Sequence, residues 1–172
     1  TKRKETILVK RRKVASGILI VGESGSGKST SIETLNPKET FIINVKNKPL
    51  PFKGWKSLYT AFNKENPDGN YIGTDNPNTM LQVMQHVSDK MPHIKQLIIE
   101  DYQYMSANEY MNRAKESGFQ KFTDIGKNIY STADLHNKLR EDLCVVYINH
   151  PDETTDAIDR KSTRLNSSHR PR

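Results

Sequence analysis

Gly22-Glu23-Ser24-Gly25-Ser26-Gly27-Lys28-Ser29-Thr30 fits the pattern G-x-x-x-x-G-K-[ST] at every fixed position. Glycines at these positions let the backbone turn so tightly that consecutive N–H groups point at phosphate oxygens. Lys28 adds a positive charge for the β and γ phosphates, and the Ser29 hydroxyl is a ligand for Mg²⁺. The stretch therefore predicts a phosphate-binding loop that holds ATP and Mg²⁺.

The sequence on either side of this loop supports the same interpretation. Residues 18–21 form a short apolar, β-branched run that is typical of a buried parallel strand. Residues 29–35 are expected to begin a helix whose positive N-terminal end is directed at the phosphates. Strand, loop and helix thus fall in the order that phosphate binding requires.

Predicted strands and helices alternate along the rest of the chain. Further strands are expected at residues 40–45, 94–99 and 143–148. Asn76-Pro77 begins an apolar helical pattern that ends before Pro92, a capping box at residues 106–109 begins a second helix, and a third runs from about residue 122 towards residue 139. This alternation predicts an α/β fold with three layers and a mostly parallel sheet.

The length of 172 residues suits one domain. We expect a basic N-terminal arm or edge strand at residues 1–14, a phosphate-loop domain at 15–152 and a disordered tail at 153–172. Residues 163–172 resemble translated adapter sequence, which suggests a native chain cut short at its C-terminus. No stretch is long and apolar enough for a membrane helix, so a soluble cytoplasmic protein without a membrane partner is expected.

The net charge of +7 does not by itself indicate nucleic-acid binding. Seven basic residues and one acidic residue lie in residues 1–13, and five basic residues lie in 160–172. The remaining residues, 14–159, hold 15 basic and 19 acidic groups. The body of the domain is therefore weakly acidic, and the positive charge belongs to its two ends.

Residues 46–70 lack regular periodicity and interleave Trp55, Tyr59 and Phe62 with several lysines, including Lys56. Aromatic rings among lysines are typical of surfaces that stack bases and contact phosphates of single-stranded DNA. The alternative is a cover in which the rings pack on the domain and the lysines face water. The sequence favours this cover.

Polar residues follow two of the predicted strands. Glu100 and Asp101 come directly after an apolar run, as in a Walker B motif, and Asn149 and His150 follow the last strand. A hydrolase needs one carboxylate on the Mg²⁺ side and another group that orients water. The usual order is Asp then Glu, so the reversed order leaves open which acid serves which role. Asn149 stands where a side chain reaches the γ-phosphate or the attacking water, and His150 either shares that role or begins a turn.

These residues also carry a family resemblance. Residues 22–30, the Lys48-Pro49-Leu50-Pro51-Phe52 stretch, residues 98–109 and Ile148-Asn149-His150 together resemble phage-encoded AAA/RecA-like nucleotide-binding proteins, over residues 15–152. The resemblance implies a RecA-like sheet and an ATPase of the host cytoplasm that assembles with itself. It also implies a role in DNA recombination, annealing or replication, with single-stranded DNA as a partner. It identifies no arginine finger.

Two other function classes also use a phosphate loop. A small-molecule or nucleotide kinase would close residues 46–70 over a phosphate acceptor, but no arginine-rich lid is visible in the body of the chain. A nucleotide-dependent interaction switch would use slow hydrolysis only to change its assembly state. The catalytic residues expected for hydrolysis are Glu100, Asp101 and Asn149, with Ser29, Glu100 and Asp101 as candidate Mg²⁺ ligands.

The central prediction concerns Lys28. Lys28→Ala removes the charge that contacts the β and γ phosphates, so nucleotide binding or turnover should be abolished. Normal ATP binding and turnover in this variant would contradict a functional phosphate loop.

Overall fold

The computed structural model describes residues 14–151. Within them the strands are β1 (Ser16–Val21), β2 (Thr40–Asn44), β3 (Tyr71–Gly73), β4 (Gln96–Glu100) and β5 (Cys144–Asn149). The helices are α1 (Trp55–Leu58), α2 (Pro77–Lys90), α3 (Tyr104–Asn112) and α4 (Gln120–Asp134), with 3₁₀ helices at Thr30–Thr34 and Leu135–Lys138. The expected N-terminal arm and C-terminal tail lie outside the described residues.

The five strands form one sheet in the order β1-β5-β4-β2-β3, and every pairing is parallel. Parallel neighbours need crossover connections, and in this chain α2, α3 and α4 lie within those connections. The three-layer α/β fold with a parallel sheet is confirmed. No helix of residues 14–151 combines the length and apolar character needed to cross a membrane.

Alternation along the central strands divides the core between the two faces of the sheet. Phe41 and Ile43 of β2 belong to the larger cluster, which includes Met80, Met84 and Val87 of α2. Ile42, between them, belongs to a second cluster on the other face. That second cluster is completed by Ile32 of the 3₁₀ helix Thr30–Thr34 and by Leu50, Phe52 and Tyr59 of the segment at residues 46–70.

The expectation that the strand before the phosphate loop is buried is wrong. Within residues 14–151, β1 lies at the edge of the sheet and pairs only with β5. Its side chains are exposed throughout, with Leu19 and Val21 at 61% and 55%. An apolar run predicts a strand equally well at the centre and at the edge of a sheet, and so its position could not be read from the sequence.

The helix expected at residues 29–35 is a single short 3₁₀ helix at Thr30–Thr34. The Ser31 hydroxyl donates to the carbonyl of Lys28 at 2.6 Å, and the Thr34 hydroxyl donates to the carbonyl of Ser31 at 2.8 Å. Such local side-chain bonds compete with regular helix formation, and Pro37 disfavours helical geometry at the residue before it. A dipole from a longer helix therefore does not contribute at this position.

The other expected elements are present with shifted bounds. The helix assigned to a capping box at Ser106 begins two residues earlier, at Tyr104, and the Ser106 hydroxyl donates to the carbonyl of Gln103. The capping-box interpretation is therefore wrong. β3 was not expected, because three residues give too little alternation to predict a strand.

The segment at residues 46–70 is a cover over the sheet. Tyr59 is 2% exposed, and the ring of Phe62 packs 5.6 Å from that of Phe41. The indole of Trp55 packs 5.3 Å from the ring of Tyr71. Tyr59 is thus unavailable for stacking on bases. Trp55, Tyr59 and Phe62 pack on the domain, as in the alternative of a cover.

One prediction concerns the start of α2, where the Asn76 side chain accepts a hydrogen bond of 3.0 Å from the backbone N–H of Thr79. Asn76→Ala leaves that N–H without its cap and should lower the free energy of unfolding by about 1 kcal/mol. Asn76→Asp keeps an acceptor and serves as the control in urea denaturation. Equal losses in both variants would contradict a capping role.

Candidate functional site

Three adjacent strands bring the predicted site residues together. β1, β5 and β4 are parallel neighbours, with Val21 opposite Asn149 and Ile99 opposite Tyr147. Their carboxyl ends therefore meet at one edge of the sheet. The phosphate loop follows β1, Asp101 follows β4, and His150 follows β5. This is the edge at which parallel α/β sheets place their ligands.

The phosphate loop depends on its glycines. Gly25 and Gly27 have φ values of +80° and +89°, in the left-handed region where side chains are strained. A Cβ on Gly22 would lie 3.0 Å from the Ser26 hydroxyl and 3.4 Å from the Lys28 side chain. The loop conformation therefore favours glycine at Gly25 and Gly27, and a Cβ at Gly22 would press against the Ser26 side chain.

Lys28 folds back over the loop. Its ammonium donates to the carbonyls of Gly22 and Glu23 at 2.5 and 2.7 Å, and to the Ser26 hydroxyl at 3.3 Å. The Nδ1 atom of His150 lies 3.5 Å away. The Lys28 charge therefore lies inside the loop. Phosphate oxygens of a bound nucleotide can take the place of the loop oxygens that now accept its hydrogen bonds.

Glu100 lies beneath the loop and is fully buried. The Ser29 hydroxyl donates to its Oε1 atom, whereas its Oε2 atom has no hydrogen-bond partner. Burial raises the pKa of this carboxyl, the Ser29 hydrogen bond opposes that rise, and the neighbouring charge of Asp101 adds to it. A buried carboxylate oxygen without a partner, beside a hydroxyl, fits the oxygen ligands that Mg²⁺ prefers.

Residues 14–151 contain no cluster of three or more His, Cys, Asp or Glu side chains that could bind a metal ion without other ligands. Mg²⁺ commonly needs only one or two carboxylates when phosphate oxygens and water complete its coordination. Ser29 and Glu100 match that requirement.

Asp101 faces different partners from Glu100. It is fully buried and has a φ of +59°, an uncommon conformation for a residue other than glycine. The Lys48 ammonium lies 2.7 Å from its Oδ2 atom, and the His150 Nε2 atom lies 3.2 Å from its Oδ1 atom. The two adjacent acids are thereby separated: Glu100 contacts the phosphate loop, and Asp101 contacts Lys48 and His150.

Asn149 and His150 lie beside the phosphate loop. The backbone N–H of Gly22 donates to the Asn149 carbonyl at 3.4 Å. The Asn149 side-chain oxygen is buried and has no hydrogen-bond partner. His150 contacts both Lys28 and Asp101, so it connects the loop to the second acid.

Two clefts meet at this edge. The first, of about 300 Å³, is lined by residues of the phosphate loop together with Lys48, Pro49, Pro51 and His150. The second, of about 650 Å³, is lined by Lys46, Gln103, Tyr104, Ala107 and Pro151. Ser24, Lys48 and His150 line both clefts. A ligand in the first cleft therefore lies next to the space of the second.

The sequence assigns neither Lys48 nor Gln103 to the phosphate site. Lys48 is one of the lysines interleaved with aromatic residues in 46–70 and is part of the Lys-Pro-Leu-Pro-Phe stretch, and a single lysine in a loop gives no further signal of its own. The terminal amide of Gln103 is buried, and both its polar atoms lack hydrogen-bond partners. Its position three residues after the end of β4 is the available signal.

Comparison with protein families agrees with this geometry. The family model described as "AAA domain" matches residues 11–135, a range that includes the whole phosphate loop and both acids. The chain belongs to the AAA domain family. Membership in this family of P-loop nucleotide-binding proteins supports nucleotide binding by the loop at residues 22–30. A comparison with curated proteins finds no match.

The buried Glu100 gives the protein a pH-dependent stability. Because burial raises its pKa in the folded state, the stabilising contribution is complete below the ordinary pKa of 4.5 and is lost as the pH rises through the raised value. Glu100→Gln keeps an acceptor for Ser29 and cannot ionise. It should therefore be more stable than the wild type at pH 8 without nucleotide or Mg²⁺, and this advantage should shrink as the pH falls towards 4.

Urea denaturation across this pH range measures the difference. Glu65→Gln is the control, because Glu65 is an exposed glutamate that lines neither cleft. A constant difference between wild type and Glu100→Gln at every pH would contradict the burial effect.

Proposed function

We propose that this AAA domain protein is a Mg²⁺-dependent ATPase. The observation that supports it best is the contact between the Ser29 hydroxyl and the buried Glu100, directly beside the phosphate loop. That contact places a hydroxyl and a carboxylate side by side, and these two groups would be the protein ligands of Mg²⁺ bound to a triphosphate. When bound there, Mg²⁺ would neutralise charge on the β and γ phosphates.

The surroundings of the two acids suggest how they divide the work. Glu100 contacts Ser29 and therefore suits the metal side. Asp101 points to Lys48 and His150, away from Ser29, and suits the water side. Asn149, with its buried and unpartnered side-chain oxygen, is proposed to help hold the attacking water.

In the proposed reaction, the water oxygen forms a bond to the γ-phosphorus while the bond between that phosphorus and the bridging oxygen breaks. The electron pair of the broken bond leaves with ADP. Asp101 accepts the proton that the water loses, which leaves inorganic phosphate in the cleft. Lys28 holds the β and γ phosphates throughout.

We also propose DNA metabolism as the setting, with single-stranded DNA as a partner and self-assembly of the chain. This proposal is supported by the resemblance to phage AAA/RecA-like proteins. It does not depend on the net charge, which lies in the ends of the chain. It also does not depend on Tyr59, which is buried.

One observation favours a second candidate function, phosphoryl transfer. The cleft of about 650 Å³ beside the phosphate cleft has room for an acceptor molecule, and Lys46 and Lys48 would attract an anionic one. Transfer of the γ-phosphoryl group to such an acceptor would make the protein a kinase.

The test measures phosphate release from ATP with Mg²⁺, in the presence and absence of single-stranded DNA and of nucleoside acceptors. Phosphate release that DNA stimulates would support the proposal. Appearance of a phosphorylated acceptor in place of free phosphate would replace it with the kinase function.

Variants of the two acids test the division of labour. Asp101→Asn should lower turnover by about 100-fold or more and leave ATP affinity nearly unchanged, because it removes the proton acceptor. Glu100→Gln should instead weaken Mg²⁺-dependent ATP binding. The reverse pattern would exchange the two roles, and full activity in both variants would leave the acids without a catalytic function.

A further inference from the structure

We propose that Lys48 supplies, from the same chain, the cation that neutralises the γ-phosphate, and that it leaves Asp101 to do so. This inference rests on the proposed ATPase function and adds a residue to it. It assigns to Lys48 the role of an arginine finger, a positive side chain that phosphate-transfer sites take from the same chain or from a partner.

The backbone of Lys48 is fixed in place. The Asn44 side chain, fully buried at the end of β2, donates a hydrogen bond of 2.7 Å to the Lys48 carbonyl. Asn47 has a φ of +50°, and the phenol of Tyr71 donates to its side chain at 3.3 Å. Pro49 follows and restricts the chain further. The backbone position of Lys48 is therefore set by contacts within the protein and does not depend on a ligand.

The side chain itself is free to change partners. It is 42% exposed, whereas the Asp101 carboxylate that it faces is fully buried. The ammonium lies 2.7 Å from the Asp101 Oδ2 atom. The Lys48 end of this ion pair is therefore open to solvent and to a second anion, whereas the Asp101 end is enclosed.

Lys48 also lies where the phosphate would arrive. It lines the cleft formed by Gly25, Gly27, Lys28 and Ser29. Among the described residues that line this cleft, Lys28 and Lys48 carry the permanent positive charges. Lys28 is bonded to the loop from within. Lys48 reaches the same cleft from the segment after β2, so its charge is supplied independently of the loop.

The charges around the cleft explain why Lys48 would leave Asp101 for the γ-phosphate. Without nucleotide, Lys48 balances the buried charge of Asp101. A bound triphosphate presents a denser negative charge in the same cleft, and Lys48 can turn to it because its backbone is already positioned. His150 stays beside Asp101, at 3.2 Å from its Oδ1 atom. The movement of Lys48 thus exposes Asp101 to the attacking water only when the γ-phosphate is present.

The first test compares the affinities for ADP and for the slowly hydrolysed analogue ATPγS, each with Mg²⁺. Lys48→Gln removes the charge and can still donate a hydrogen bond to Asp101. Its affinity for ATPγS should fall about tenfold or more, the size of a lost charge-assisted hydrogen bond, with ADP affinity unchanged. Lys48→Arg should retain most of the preference for ATPγS.

Lys53→Ala is the matched control, since Lys53 is an exposed lysine of the same segment that lines neither cleft. An equal loss of affinity for both nucleotides in Lys48→Gln would show a structural role and overturn the proposal, as would unchanged affinity for both. These measurements need no hydrolysis, so they test Lys48 even if the wild type proves unable to turn over ATP.

The second test asks which chain supplies the cation. Lys48→Gln should lower ATP turnover by about 100-fold, as for loss of one charge-stabilising group. When Lys48→Gln protein is mixed with Lys28→Ala protein, turnover should equal the sum of the separate activities, because each site uses its own Lys48. Turnover above that sum would show that Lys48 acts on a neighbouring subunit and would overturn the proposal.

Discussion

The parallel pairing of β1, β5 and β4 is the constraint on which the site depends. Three polar segments that are far apart in the sequence meet only because these strands run in one direction and end at one edge. A sheet in which β5 ran the other way would carry His150 to the opposite edge. The composition of the site thus follows from the direction of the strands. The crossover connections through α2, α3 and α4 set that direction.

Two buried carboxylates side by side would ordinarily oppose folding, because burial disfavours their charge and each disfavours the other. The structure reduces this cost by turning them apart. The left-handed backbone of Asp101 carries its side chain towards Lys48 and His150, while Glu100 remains under the loop with Ser29. The backbone conformation at Asp101 is therefore what allows adjacent residues to have separate environments.

Much of this arrangement could be predicted from the sequence, for identifiable physical reasons. The phosphate loop, the parallel sheet and the end positions of Glu100 and Asn149 follow from local patterns of glycine, apolar and polar residues. The exposure of β1 and the contact between Lys48 and Asp101 do not, because each depends on residues distant in the sequence. Ser106 shows a further limit, since its helix begins at Tyr104, before the predicted cap.

The edge position of β1 has a consequence for the energetics of nucleotide binding. Within the described residues, the strand that carries the phosphate loop is held by a single ladder, to β5, and its apolar side chains gain little from burial. A strand held in this way has a low free energy of local opening. A nucleotide that binds the phosphate loop would therefore also stabilise the strand before it, because binding to the folded form alone disfavours local opening.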